Sequence, residues 1–240
     1  MGRGVIALVI ALGLVLALAV GVRAEPSGAV LTPGASERGS PASPESLQVQ
    51  AGNVTELNIS GTSITQSWAG FYGDVTGTIV LEDANGNKFY DWTAANPQGE
   101  VYAARVSSIT WSNVRCANST EIANENTALN MGSSADNITN TFNSNTHPQF
   151  YVGSVNIAAN SCSATNAYVN GAAQTSDFYN VLLSDGTGNI IYTAILDPDT
   201  TGFDGDTHDF ELLVGEDGHG AAAGTTTTYY FWVETVSYTH

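Results

Sequence analysis

Positive charge is nearly missing from this sequence: six Lys and Arg stand against 23 Asp and Glu, a net charge of −17 at pH 7. So negative a chain repels phosphate, which argues against nucleic acid and anionic membrane surfaces as partners. Charge of either sign is sparse, at 12% of residues, so the surface has to be built mostly from Ser, Thr, Asn and Gly. Long helical periodicity is absent too, which argues against a helical bundle or coiled coil. No G-x-S-x-G elbow, phosphate-binding loop or dinucleotide fingerprint occurs. His147, His208, His219 and His240 are scattered, with no H-x-x-x-H or C-x-x-C to make a zinc site. A hydrolase using carboxylates between Asp197 and Glu216 is the remaining enzymatic reading. Paired carboxylates at glycosidase spacing arise by accident in so acidic a chain, however, so they discriminate nothing. These absences together argue for a structural or binding protein over an enzyme.

What is present begins with Arg3, an unbroken apolar run from Val5 to Val20, and the small-residue stretch "GVRA" before Glu25 and Pro26. This is the pattern of a signal peptide cleaved after Ala24. The run of about sixteen residues is short for a bilayer, which usually takes about twenty, so a retained anchor and a pilin-type leader cut before the run are the lesser alternatives. Cleavage leaves no stable membrane insertion and only Arg38, Lys88, Arg105 and Arg115 as cations. Residues 25–46 form a Pro/Gly/Ser-rich lead-in, and residues 47–240 are long enough for one well-filled core. In an exported chain the two cysteines, Cys116 and Cys162, pair with each other most simply, the alternative being two buried thiols. Closing that loop contributes roughly 4 kcal/mol in the chain-entropy model. Sequons at Asn53, Asn58, Asn118 and Asn137 suit a glycosylated surface.

Short Thr/Val/Ile/Tyr runs bounded by Gly, Asn and Asp recur along the chain, the all-β pattern. They predict strands at 47–57, 75–81, 88–92, 101–109, 150–157, 178–183, 189–196, 208–214 and 226–236. In the last, Tyr229, Phe231 and Val233 share one face and Tyr230, Trp232 and Val236 the other, so both faces are expected to be covered. Shifted by 102 residues, "LEDANGNKFY" from Leu81 overlays "LSDGTGNIIY" from Leu183, each a strand, a tight Asp/Gly/Asn turn and a return strand. The expected architecture is an antiparallel two-sheet sandwich, Ig-like or jelly-roll-like, with a long Asn-rich insertion between Ser112 and Pro148. Within that insertion, "STEIANENTALN" is the one candidate for a short capped helix.

Two stretches carry chemistry. "DPDTTGFDGDTHDFE", residues 197–211, holds six carboxylates and no Lys or Arg. Asp197, Asp199, Thr201, Asp204, Asp206 and Asp209 partly match a calcium loop, but His208 stands where an EF-hand places its bidentate Glu, and both flanks read as strands. Two readings stand: an oxygen-ligand calcium site, or a solvated acidic turn. "HDFE" and "GEDGHG" could also bring His208, Asp209, Glu216 and His219 together across a turn, though an incidental polar loop explains them as well. "QSWAGFYGDVTGTIVL" sets Trp68, Phe71 and Tyr72 among Gly70, Gly73 and Gly77. These aromatics form either a sugar-stacking platform on a Gly-flexed turn or a plug for the end of the sandwich.

The stretch from Gln66 to Ala103, with "TGFDGDTHDFELLVGEDGHG" and "TTYYFWVE", resembles a set of exported archaeal surface proteins. That resemblance covers most of the chain from Gln66 onward and brings no catalytic residues. More loosely, the plan of signal peptide, polar lead-in strand and sandwich is similar to archaeal bundling pilins and TasA-type fibre subunits. That plan implies assembly with identical subunits, the early strand "SLQVQAGNVTELNIS" entering the edge of a neighbour's sheet. An ordinary edge strand paired in its own sheet is the alternative. Sequence alone thus leads to a secreted filament or coat subunit, with calcium as a stabiliser. The second choice is a calcium-dependent module binding surface glycans through Trp68, Phe71 or Tyr72.

Overall fold

The computed structural model describes residues 25–94, 97–217 and 226–236; the predicted leader, His219 and His240 lie outside these residues. The fold is all-β and antiparallel. Its main sheet runs in the order β1 (Ser27–Gly28), β15 (Tyr230–Val236), β5 (Gln98–Ala104), β11 (Ile190–Ile195), β10 (Tyr179–Ser184), β6 (Arg115–Cys116), with β9 (Ala164–Asn166) also on β10. Four two-stranded pairs surround it: β2 (Trp68–Gly73) with β14 (Phe210–Gly215), β3 (Gly77–Glu82) with β4 (Lys88–Ala94), β7 (Phe150–Val152) with β8 (Val155–Ile157), and β12 (Thr200–Thr201) with β13 (Thr207–His208).

Period-2 alternation sorts the main sheet's side chains onto two buried faces. Val101, Ala103, Leu182, Tyr192 and Ala194 look to one side, where β14 and β2 lie across them together with the helical segment. Tyr102, Ala104, Val181, Leu183 and Ile191 look to the other, against Phe150, Val152 and Ile157 of the β7–β8 hairpin. The last strand behaves as its composition predicts: Phe231 and Val233 join the first core and Trp232 the second. Its outer edge, however, meets only Ser27, Gly28 and the Ala29 amide among the described residues. Its inner edge approaches β5 so closely at Gly99, where φ is +131°, that an added Cβ would lie 1.9 Å from the Glu234 carbonyl oxygen. No side chain fits there.

The Asn-rich insertion holds α1 (Ser119–Ala128) and α2 (Ile138–Thr141). The first has no apolar stripe, and polar contacts fix it instead. Asn118 and Glu121 form a reciprocal capping box. Glu121 also takes a two-pronged bond from Arg115, at 2.8 and 3.0 Å, and one from Ser184 Oγ. One turn on, Glu125 is gripped by Arg105 at 2.6 and 2.9 Å. Two of the six Lys and Arg in the chain are spent on docking this helix. Cys116 and Cys162 are joined in a disulfide, as predicted, tying β6 to the segment before β9.

The expected strand at 47–57 does not form. Residues 29–66 contain no strand, and their only turn is closed by the Asn53 amide on the Gln50 carbonyl. Period-2 alternation gives a segment the capacity to be a strand, but ladder bonds need a partner, and among the described residues this segment has none. Apart from β1 and the buried Pro26 before it, the packed part therefore begins at Ser67. Conversely "WAGFYG", expected to be a flexed turn, is a strand, because β14 pairs with all six of its residues.

Candidate functional site

The acidic stretch folds as the small β12–β13 hairpin leading into β14. Its carboxylates are distributed among separate backbone amides. Asp197 Oδ2 accepts from Phe178 N at 2.6 Å. Asp209 accepts from Asp199 N at 3.0 Å and from Val75 N at 2.8 Å. Asp204 Oδ1 accepts from Asp206 N and meets His208 Nε2, both at 3.0 Å. Glu211 Oε1 accepts from Phe203 N at 2.7 Å. Thr201 lies in β12, Asp199 adopts a positive φ of 54°, and Asp206 is exposed at the tip. Among the described residues no three His, Cys, Asp or Glu side chains converge as a metal site would require. Asp197, Asp204, Asp209 and Glu211 thus each accept from at least one backbone amide, and these dipoles offset part of the repulsion among the like charges.

Electrostatics separate these acids. Burial pushes Asp197 above the ordinary carboxylate range, with Asp177 adding repulsion against the lowering bond from Phe178. Burial also raises Glu211, opposed by the Phe203 amide and His208. Asp204, at the loop, is partly desolvated, but the Asp206 amide and His208 outweigh this and hold it low. Gly202 is required at the centre, since a Cβ there would lie 2.5 Å from His208 Cδ2 and 2.6 Å from Glu211 Oε1.

The three aromatics of "WAGFY" part company. Trp68 turns into the core against Phe142 and Tyr192, and its Nε1 donates to the Asp136 carbonyl at 2.6 Å. It serves as a plug. Phe71 and Tyr72 stay exposed, and the fold brings Phe203 and Tyr168 to the same groove, a space of about 490 Å³. Phe203 meets Tyr72 edge-on at 5.0 Å, and both rings contact His208. Phe203 stands within the acidic stretch, and Tyr168 follows β9. Neither carried a signal in the sequence, because only the β2–β14 pairing and the position of β9 make them neighbours.

The sequons differ in surroundings. Asn53 and Asn58 are exposed in the lead-in, and Asn118 is exposed although its Oδ1 caps α1. Asn137 is buried, with Oδ1 accepting from Asn140 N and Nδ2 donating to the Gly132 carbonyl. A glycan there would take one of the two Nδ2 hydrogens at a buried site where Nδ2 already donates to Gly132.

A polar cluster that the sequence did not announce lies in the second core. Glu100 and Glu234 are direct cross-strand partners, and the Tyr102 hydroxyl is 3.3 Å from each. Gly153 N donates to Glu234 at 2.8 Å, pinning the β7–β8 turn to the main sheet. Burial first, and then the two carboxylates, raise Tyr102 well above its ordinary value. Among the described residues no helix is long and apolar enough to cross a membrane. No protein family, curated protein or solved structure matches this chain.

Proposed function

We propose that the chain is an exported structural subunit of an extracellular filament or cell-surface coat, assembled by strand exchange between identical copies. The observation that carries this reading is the state of residues 47–59. Leu47, Val49, Val54, Leu57 and Ile59 are all exposed, Val49 at 85% and Ile59 at 84%, although Leu47, Val49, Leu57 and Ile59 fall on one face of a period-2 strand. A segment with strand periodicity and no ladder partner is a donor awaiting an edge. An edge is available on β15, where among the described residues Ser27–Ala29 cover only Phe231, Trp232 and Val233 of a seven-residue strand. Residues 29–66 form a long tether, so the same pairing can be made within a copy or between copies. Repeated head to tail, such a contact does not close and produces a filament. The disulfide is in keeping with an oxidising, extracellular setting, and so is the resemblance to exported archaeal surface proteins.

Negative-stain electron microscopy of residues 25–240 tests this, with calcium and in parallel with a chelator. Filaments are expected from the wild type and not from the Val49→Asp/Leu57→Asp variant, which should keep a wild-type circular dichroism spectrum because both positions are exposed. Dispersed wild-type particles in both conditions, or filaments unchanged in the variant, defeat the proposal. Filaments only with calcium would assign the 197–211 stretch a role in assembly.

A further inference from the structure

The groove between β2, the β12–β13 hairpin and the turn after β9 has features that a structural subunit does not need. Four large aromatics line it and remain open to solvent, with Tyr72 at 52% and Tyr168 at 53% exposed. Scattered exposed aromatics are ordinary, but several sharing one concave surface mark a binding site. Beneath them lies Glu211, only 6% exposed and lining the same groove. The Phe203 amide engages Oε1, and among the described residues Oε2 takes no hydrogen bond. That second oxygen stays open to the groove, where it can accept a hydrogen bond from a ligand.

The chemistry of the groove narrows the ligand. Rings that are part apolar and part polar suit a molecule with flat C–H faces and peripheral hydroxyls. The carboxylate calls for an O–H donor. Glu37 lines the groove together with Glu211, and the chain carries a net charge of −17, so an anionic ligand is repelled.

We propose that this groove binds a neutral pyranose oligosaccharide, Tyr72, Phe203 and Tyr168 packing on the sugar C–H faces and Glu211 accepting a hydroxyl. The site belongs to the single folded chain and does not depend on filament formation. It retains Phe71 and Tyr72 from the aromatic stretch, excludes Trp68, and takes its remaining members from elsewhere in the sequence.

Isothermal titration calorimetry of residues 25–240 with cellohexaose and chitohexaose tests the proposal, with hexagalacturonate as the anionic control. At least one neutral hexasaccharide is expected to bind and the control is not. Phe203→Ala should weaken binding about tenfold or more. Tyr168→Ala, in a loop outside the β2–β14 pair, should weaken it severalfold with no change in unfolding midpoint, which separates lost contact from lost fold. Glu211→Gln, which keeps an acceptor for the Phe203 amide, should also weaken binding. Absence of binding by both neutral sugars, equal binding of hexagalacturonate, or full affinity in Tyr168→Ala would overturn the assignment.

Discussion

The hairpins at Leu81–Tyr90 and Leu183–Tyr192 build the same turn in opposite environments. In the first, Asp83 Oδ1 accepts from Asn85 N and Asn87 N, Oδ2 accepts from Asn87 Nδ2, and Asp83 N donates to the Asn87 carbonyl. In the second, Asp185 does the same with Thr187 N, Asn189 N, Asn189 Nδ2 and the Asn189 carbonyl. Yet Leu183 is fully buried while Leu81 is 52% exposed. The difference lies beside the hairpins. β10 is flanked by β6 and β9, and β11 by β5, whereas among the described residues β3 and β4 pair only with each other. Local chemistry therefore builds a hairpin, and neighbouring strands decide whether it becomes core. The return strands foreshadow this: "NIIYTA" enters the sheet, and "NKFYDW", with Lys88 and Asp91 in an exposed ion pair, stays outside.

The largest expected contrast comes from deleting equivalent leucines. Leu183→Ala should cost about 3–5 kcal/mol, the range for a core truncation, and Leu81→Ala no more than about 0.5 kcal/mol, measured by chemical denaturation of residues 25–240. A comparable loss at both positions would mean that the outer hairpin is also packed in solution, most simply against another copy. Next is the disulfide, which braces the strand beside the inner hairpin only. Replacing Cys116 and Cys162 by Ser should cost about 2–4 kcal/mol while leaving amide exchange across β3 and β4 unchanged.

The smallest contrast lies in the turns. Partial burial raises Asp185, but hydrogen bonds from Asn189 and Thr187 outweigh it and hold the carboxyl below its ordinary value. A depressed carboxyl stabilises above its unfolded value, about 3.9, and the contribution disappears as pH falls through the lower folded value. Asp185→Ala should therefore cost about 1.5–3 kcal/mol at neutral pH and flatten the acid limb of the stability curve. Asp83 is lowered chiefly by its Asn87 side-chain bond, but it stands in open solvent, and Asp83→Ala should leave global stability unchanged. Melting curves between pH 2 and 7, a span bracketing the carboxylate values, distinguish the two.

Legibility followed the range of the interactions involved. The all-β class, the inner hairpin, the two-faced last strand, the short capped helix and the disulfide pair could all be read, because period-2 patterning, helix-capping signals and turn residues act over a few positions. The strand at 47–57 was misread because the pattern was real and its partner was not. "WAGFYG" was misread in reverse, since its glycines suggested a turn until β14 supplied a partner more than a hundred residues away. The groove was half legible: Phe71 and Tyr72 stood out, while Phe203 and Tyr168 did not.

By itself, then, the sequence determined the strand-and-turn inventory, the excess negative charge and the capping chemistry, all set by backbone preferences and side chains within reach of one another along the chain. The tertiary structure decided which hairpin is buried, sent Trp68 inward, gave four of the six acids of the 197–211 stretch backbone amides to accept from, and gathered four aromatics above Glu211. Those outcomes depend on contacts between segments far apart in sequence, and no local pattern encodes where a distant neighbour will lie.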